Sequence, residues 1–571
     1  MTTLPGHPPA LADPDMPEPL EHLLGDPLDP DNPLSYVAFL AADERGDPLP
    51  AGRALLDSFG LGAEFVPRAL GGRLRQADEL ARVLRPLFRR DGSLGLGHGA
   101  INLIASAPVW SAGSPEQHRR MADLLLSGGQ TAGAYTELAT GHDLVASRVR
   151  ATRQPDGWAL SGRKEVINNV TRAHAVTVLA RSSDEPGSRS HSLFLLDMAS
   201  VPRERLRFLP RFRSSGLRAI HLGGVDFDDC PLPGSALVGE EGGALETVLR
   251  AFQVTKAVLT GATLGSLDTQ LRTVTTFATR RRLYGRYTSE LPHVRSVLTG
   301  AFVDLLIADC LSTTVCRALH VLPRMTSLYA PAAKYLVPLL TQEAMDGLAT
   351  VLGARSFLRE GPHGIFQKHL RDLPVGSLAH SGATVCQATI VPQLTRPARR
   401  SWFVTEPAPA SLFRIGEPLD DLDFRSLEIT AGADDGLLAV LPEASEQFRT
   451  DPVLGPLCER LTGELRALRD DCLALAPRDR TPLAGPRGFE TAERYAVLAA
   501  AAACLGVWQH NRDRAGPFLR DTAWLAMALQ RLTVRLGHAP AQVMDTEAVF
   551  EELTRRHEEN AGFDLIGRRL A

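Results

Sequence analysis

Hydrophobic periodicity changes twice along this chain, and those two changes constrain its fold more than any other feature. Up to Gln130 the apolar residues recur three and four apart, as in LRQADELARVLRPLFRR and SPEQHRRMADLLLSG, the spacing of amphipathic helices. From there to Val238 the pattern shortens to runs such as GWALSGRKEVIN, HAVTVLARS and SHSLFLLDM, rich in Val, Leu and Ile and separated by Gly, Pro, Asp and Ser. Such runs predict an antiparallel, barrel-like β domain. The stretch GGALETVLRAFQVTKAVLTGATLGSLDTQLRTVTTFATRRRLYG then restores helical spacing, which continues to about Leu394. Helices, strands and helices in segregated blocks give an α+β plan.

The same pass places the boundaries. Residues 1–33, rich in Pro and Asp, read as a mobile arm. An N-terminal helical domain over 34–130, the β domain over 131–240 and a helical bundle over 241–395 follow. Ser114 is placed to cap the helix that begins at Pro115, with Gln117 completing a capping box. A Pro-rich break, TRPARRSWFVTEPAPA, precedes a helical extension over 425–571, whose alanine-rich piece RYAVLAAAAACLGVWQHNRD is too short to cross a bilayer.

Charge and cysteine content exclude several functions. With a net charge of −4 the chain has no basic excess to neutralise a nucleic-acid backbone. Neither a secretory leader nor an apolar stretch long enough to span a membrane stands in the sequence, so a cytoplasmic protein is expected. The 7 cysteines form no C-x-x-C pair and lack His partners at metal spacing; reduced, buried thiols and no metal site are expected. Of 62 basic residues only Lys164, Lys256, Lys334 and Lys368 are lysines, a bias that suggests a GC-rich bacterial genome.

Five stretches stand collinearly between about residues 35 and 394: GSLGLGHGA with YTELATGHD, SGRKEVINN, GVDFDDCPLPGSALVGEEGGAL, RRLYGRYTSELPHV, and TVLGARSFLREGPHGIFQKHLRDLPVGSLAHSGAT. Together they resemble the acyl-CoA dehydrogenase family. The resemblance implies bound FAD, an acyl thioester substrate on CoA or a carrier protein, a homo-oligomer (dimer or tetramer), and a place in a specialised bacterial pathway. By it Tyr135, Thr136, Gly141 and His142 would line the flavin ring and pyrophosphate, with His142 where the family has serine. His142 either adds a donor to the phosphate or weakens the cofactor site. Val166 and Asn168 stand in place of the family's tryptophan and threonine beside the ring. Arg281, Tyr284 and Gly353 would reach a neighbouring subunit's cofactor, and Gly382 would close the site.

The family's catalytic glutamate is replaced by His380, and the alternative position on the first long helix offers Thr255 and Lys256. An imidazole titrates near neutral pH and is able to accept the α-proton, so His380 is either the base or a polar loop residue. The fold also hosts flavin monooxygenases that use histidines, an alternative function; a redox-inactive member is a third. His98 is either a substrate-cavity residue or a hydrogen-bonded helix residue. Gly95, Gly97 and Ala100 mimic a dinucleotide fingerprint, but no strand precedes them.

Overall fold

The computed structural model describes residues 18–513, 516–541, 544 and 546–571. It begins with four helices: α1 (Pro19–Leu24), α2 (Tyr36–Arg45), α3 (Pro50–Phe59) and α4 (Ala77–Arg90). Leu20 and Leu24 of α1 are buried, and the Glu21 carboxylate meets Arg89 at 3.1 Å and Arg90 at 3.2 Å. The proposed mobile arm therefore ends before residue 18, because a carboxylate held by two buried guanidinium groups ties the segment down; residues 1–17 lie outside the described residues. Helices α5 (Ile101–Ala112) and α6 (Pro115–Leu126) complete the N-terminal block. Both bonds of the Ser114–Gln117 capping box are present.

Eight strands follow: β1 (Thr131–Ala134), β2 (Arg150–Gln154), β3 (Gly157–Asn168), β4 (Ala175–Arg181), β5 (His191–Asp197), β6 (Leu206–Leu209), β7 (Leu222–Pro233) and β8 (Leu237–Val238). They order as β6-β7-β3-β2-β4-β5-β8, with β1 beside β4. Most pairings are antiparallel, whereas β1 and β2 each run parallel to β4. The long connection between β1 and β4, which contains the β2–β3 hairpin, allows the chain to return in the same direction. The sheet has its own apolar core around Trp158, Phe194 and Phe227.

The bundle is built on α7 (Ala244–Arg280), α8 (Pro292–Val321) and α9 (Thr326–Leu352). Between α7 and α8 a hairpin of β9 (Arg282–Leu283) and β10 (Arg286–Tyr287) turns through Tyr284 and Gly285, at φ +52° and +81°. Two consecutive positive φ values match the twist of a two-residue hairpin. Short helices α10 (Gly364–Asp372) and α11 (Ala383–Ile390) lead to the C-terminal helices α12 (Leu454–Ala474), α13 (Pro486–Asn511), α14 (Ala523–Arg535) and α15 (Glu547–Glu558).

The C-terminal segment shares the bundle's core. Its apolar residues join one cluster that runs from Leu20 to Leu565. The Pro-rich stretch is packed as well, with Ala398, Trp402 and Ala408 buried. Asp435, fully buried, accepts hydrogen bonds from Tyr329 of α9 (2.7 Å), Trp402 (3.0 Å) and Tyr495 of α13 (3.0 Å). At the end of the chain, Asp564 returns to Arg85 (3.1 Å) and Arg89 (3.3 Å) on α4. All seven cysteines are buried and unpaired. Among the described residues no helix is long and apolar enough to cross a membrane.

Candidate functional site

The sheet, α5 and α7 meet at a small third core that contains Ile104, Tyr135, Leu179, Leu193, Val248 and Phe252. Tyr135, at the end of β1, packs edge-on against Phe252 at 5.4 Å, and the Phe252 ring lies 4.4 Å from that of His380. The Tyr135 hydroxyl bonds Ile104 O (3.0 Å) and Thr177 Oγ1 (2.8 Å). As a cofactor contact Tyr135 is therefore limited to its main chain, since its ring and hydroxyl are spent in the core.

The loop 136–143 is anchored from beneath. Lys164 on β3 is completely buried and donates to Glu137 Oε1 (2.9 Å), Ser147 Oγ (2.7 Å) and Tyr135 O (3.3 Å). Glu137 also accepts from Ser147 Oγ (2.7 Å) and from the Arg148 and Val149 amides. Burial alone would raise the Glu137 pKa, but the Lys164 charge and these donors outweigh it and hold the carboxyl below its usual range. Burial lowers Lys164 to about 8 even so. Above this anchor Gly141 sits at φ +57° with open space where a Cβ would lie.

Along β3 the register with β7 slips between Glu165 and Ile167. Val166 is the bulged residue, at φ +59° and 36% exposed. A β-branched residue in that region carries strain of about 1–3 kcal/mol, and a bulge re-aims the side chain it carries. Two residues on, Asn168 is 9% exposed, and neither atom of its amide has a hydrogen-bond partner. Asn169, also at positive φ, donates its side-chain amide to Gly97 O.

His380 and Ser381 precede α11 at φ +51° and +67°, two adjacent non-glycine residues in left-handed backbone. The His380 Nε2 is 2.5 Å from Thr255 Oγ1, which itself donates to Phe252 O (3.2 Å). With the Thr255 proton given to Phe252 O, Nε2 carries the hydrogen and Nδ1 is left as the acceptor; with it given to Nε2, the hydrogen sits on Nδ1. Burial, then the charges of Lys334, Lys256 and His142, hold the His380 pKa well below 6.5. His142 is lowered likewise, by burial and by Lys256 and Lys334. Lys334 on α9 had no place in the sequence-based site. Its only advance signal was the rarity of lysine in the chain.

Other expected residues stand apart from this cluster. His98 lies on a π-turn over Gly95–Ala100 and bonds Asp57 Oδ1 at 2.9 Å. It lines a cavity of about 150 Å³, with Arg53, Asn169, Arg172, His174 and His221, that His380 does not line. The hydrogen-bonded alternative describes it better than that of a substrate contact beside His380. Arg281 packs on the Phe277 ring at 5.3 Å, with Arg355 over the same ring at 5.4 Å. Nearby in sequence, Tyr284 and Phe357 are 94% and 85% exposed, and Gly353, at φ +61°, faces open space. Gly382 caps α11 close to the Ser377 and Leu378 carbonyls.

Comparison with known proteins gives concordant results. Residues 132–230 match the acyl-CoA dehydrogenase middle domain, and residues 243–393 match the acyl-CoA dehydrogenase C-terminal domain. The short-chain specific acyl-CoA dehydrogenase of human mitochondria is 24% identical over 349 residues, 60% of this chain and 82% of its own. Acyl-CoA dehydrogenase from Bacillus anthracis, complexed with FAD, shares the fold with a TM-score of 0.71 over 95% of both chains at 15% identity. The prolyl acyl carrier protein oxidase AnaB aligns with a TM-score of 0.58 over 66% of this chain and 96% of its own, at 18% identity.

Proposed function

The chain belongs to the acyl-CoA dehydrogenase family, and from that premise we propose that it is an FAD-dependent dehydrogenase of acyl thioesters carried on CoA or on a carrier protein. The site suits a flavin on its own terms. Asn168 offers a buried amide in want of partners, and Gly141 and Gly353 leave room for close approach to main chain. In this reading Thr136, Gly141, His142 and the main chain of Tyr135 hold the ring and pyrophosphate. Val166 and Asn168 flank the ring, and Gly382 bounds it. Arg281, Tyr284 and Gly353 serve the cofactor of a second copy of the chain, consistent with an exposed tyrosine and a guanidinium that, among the described residues, meets no carboxylate. When bound, FAD supplies an acceptor for the hydride that leaves the substrate β-carbon.

In the tautomer with the hydrogen on Nε2, His380 takes the α-proton at Nδ1. Its low basicity does not disqualify it. Burial, the largest cause of that low basicity, weighs on both charged products of the transfer, whereas the charges of Lys334 and Lys256, which disfavour an imidazolium, favour the anion left when a thioester loses its α-proton. The observation that carries this reading is the interlock of Tyr135, Phe252, Thr255 and His380, which fixes the imidazole next to the loop 136–143. The hydroxylating alternative draws on His380 together with His98, and the bond of His98 to Asp57, in a cavity that His380 does not line, takes away the His98 part of that support.

The test is the absorbance spectrum of the purified full-length protein before and after incubation with FAD. Flavin bands are expected in at least one of the two, and their absence from both rejects the reading. With flavin present, His380→Ala should lower turnover about 10²- to 10⁴-fold, the usual contribution of a positioned proton acceptor.

A further inference from the structure

The chain's four lysines are all interior: Lys164 and Lys368 are 0% exposed, Lys256 4% and Lys334 6%. Two of them are neutralised as buried cations must be. Lys164 meets Glu137 at 2.9 Å, and Lys368 meets Asp91 at 2.9 Å and Asp372 at 2.6 Å. The other two are not. Among the described residues the Lys256 ammonium has neither a hydrogen-bond acceptor nor a carboxylate, and that of Lys334 donates only to Gly376 O, at 2.7 Å. Both belong to the surroundings of His380 and His142, and the remaining ionisable neighbour, Cys386, is kept a neutral thiol by burial. An uncompensated ammonium in a protein interior is strongly disfavoured. A fold that twice supplies carboxylates for its structural lysines leaves this pair waiting for a negative charge from elsewhere.

We propose that Lys256, with Lys334 behind it, is an anion subsite beside His380, and that the acyl group of the substrate carries a carboxylate which the Lys256 ammonium receives. The subsite rests on the thioester reading above and narrows it to acyl groups bearing an acidic carbon chain. Lys334, anchored on a main-chain carbonyl, supplies fixed positive potential, while Lys256 has all its donors free to follow the ligand.

Binding to the full-length protein loaded with FAD and held in its reduced form, which cannot accept a hydride, tests this without turnover. The probes are pantetheine thioesters, which lack the phosphates of CoA: glutaryl-pantetheine, and its neutral isostere in which the terminal carboxylate is an amide. Titration calorimetry should show the carboxylate bound about 10- to 100-fold more tightly, the range of a charge-assisted hydrogen bond, and Lys256→Gln should collapse that ratio toward one. Equal affinities in the unaltered protein overturn the subsite while leaving the thioester reading intact. Failure to bind either probe overturns both. A second measurement does not depend on ligand: Lys256→Met removes an unpaired buried charge and should raise the melting temperature of the free protein. A fall in melting temperature would mean that the ammonium is already compensated.

Discussion

Replacing Lys164 by methionine should damage the protein in a way that can be computed from its surroundings. The side chain is completely buried and joins Glu137, itself 4% exposed, at 2.9 Å. Methionine fills a similar volume, so the dominant loss is electrostatic: a buried carboxylate without its cation. Breaking one side of such a pair costs about 3–5 kcal/mol. Glu137 keeps three donors, from Ser147 Oγ and the Arg148 and Val149 amides, which puts the expected loss near the lower end, about 3 kcal/mol. Urea unfolding followed by circular dichroism measures it, with Glu137→Gln and the double variant closing a thermodynamic cycle. The coupling should exceed about 1 kcal/mol, as it does for groups in direct contact. The sign of the pH dependence follows from the same geometry. Without Lys164, burial is opposed only by the Ser147, Arg148 and Val149 donors and is expected to lift the folded-state pKa of Glu137 above its unfolded value. The folded variant then holds a proton that the unfolded chain releases, and its deficit shrinks as pH falls from 7.5 to 5. A loss under about 1 kcal/mol that is flat in pH, or an additive cycle, would refute the account. Because the pair anchors the loop 136–143, FAD affinity should fall with stability.

Asp435→Ala strands the buried donors of Tyr329, Trp402 and Tyr495; at about 1–3 kcal/mol for each unsatisfied group, a loss of at least about 3 kcal/mol is expected in the same urea titration. His369 is fully buried, donates Nε2–H to Arg89 O and leaves Nδ1 without a partner, and burial takes its pKa down to about 3. The unfolded chain therefore gains a proton that the folded one refuses. Stability should drop by about 1.4 kcal/mol per pH unit between about 6.5 and the folded value, a slope that His369→Gln should reduce. Arg281→Ala removes a guanidinium whose recorded contact is the Phe277 ring; it should weaken FAD binding about 10- to 100-fold in a spectral titration, with melting of the flavin-free protein nearly unchanged.

The block order of helices and strands was legible because it is written in local periodicity, and the Ser114–Gln117 box because both its bonds lie within one turn. Features that depend on distant partners were not. Glu21 sits in a Pro- and Asp-rich run that reads as loose chain, yet its partners are Arg89 and Arg90. Val166 shows in the sequence only as a valine. Its left-handed backbone comes from a register slip against β7, which no single strand encodes. Thr255 and His380 lie 125 residues apart, and their hydrogen bond follows from how α7 packs on the segment before α11. The glycine-rich stretch Gly95–Ala100 follows helix rather than strand, but its π-turn has no periodic signature.

Withdrawal of every lysine from the exterior has a chemical consequence if, as proposed, the protein handles activated acyl groups. Thioesters slowly acylate accessible primary amines, and here the outer face presents guanidinium groups in place of lysine amines. Stray acyl transfer from such a substrate to lysine would thereby be confined to the interior, where, among the described residues, Lys256 has neither carboxylate nor carbonyl to hold it.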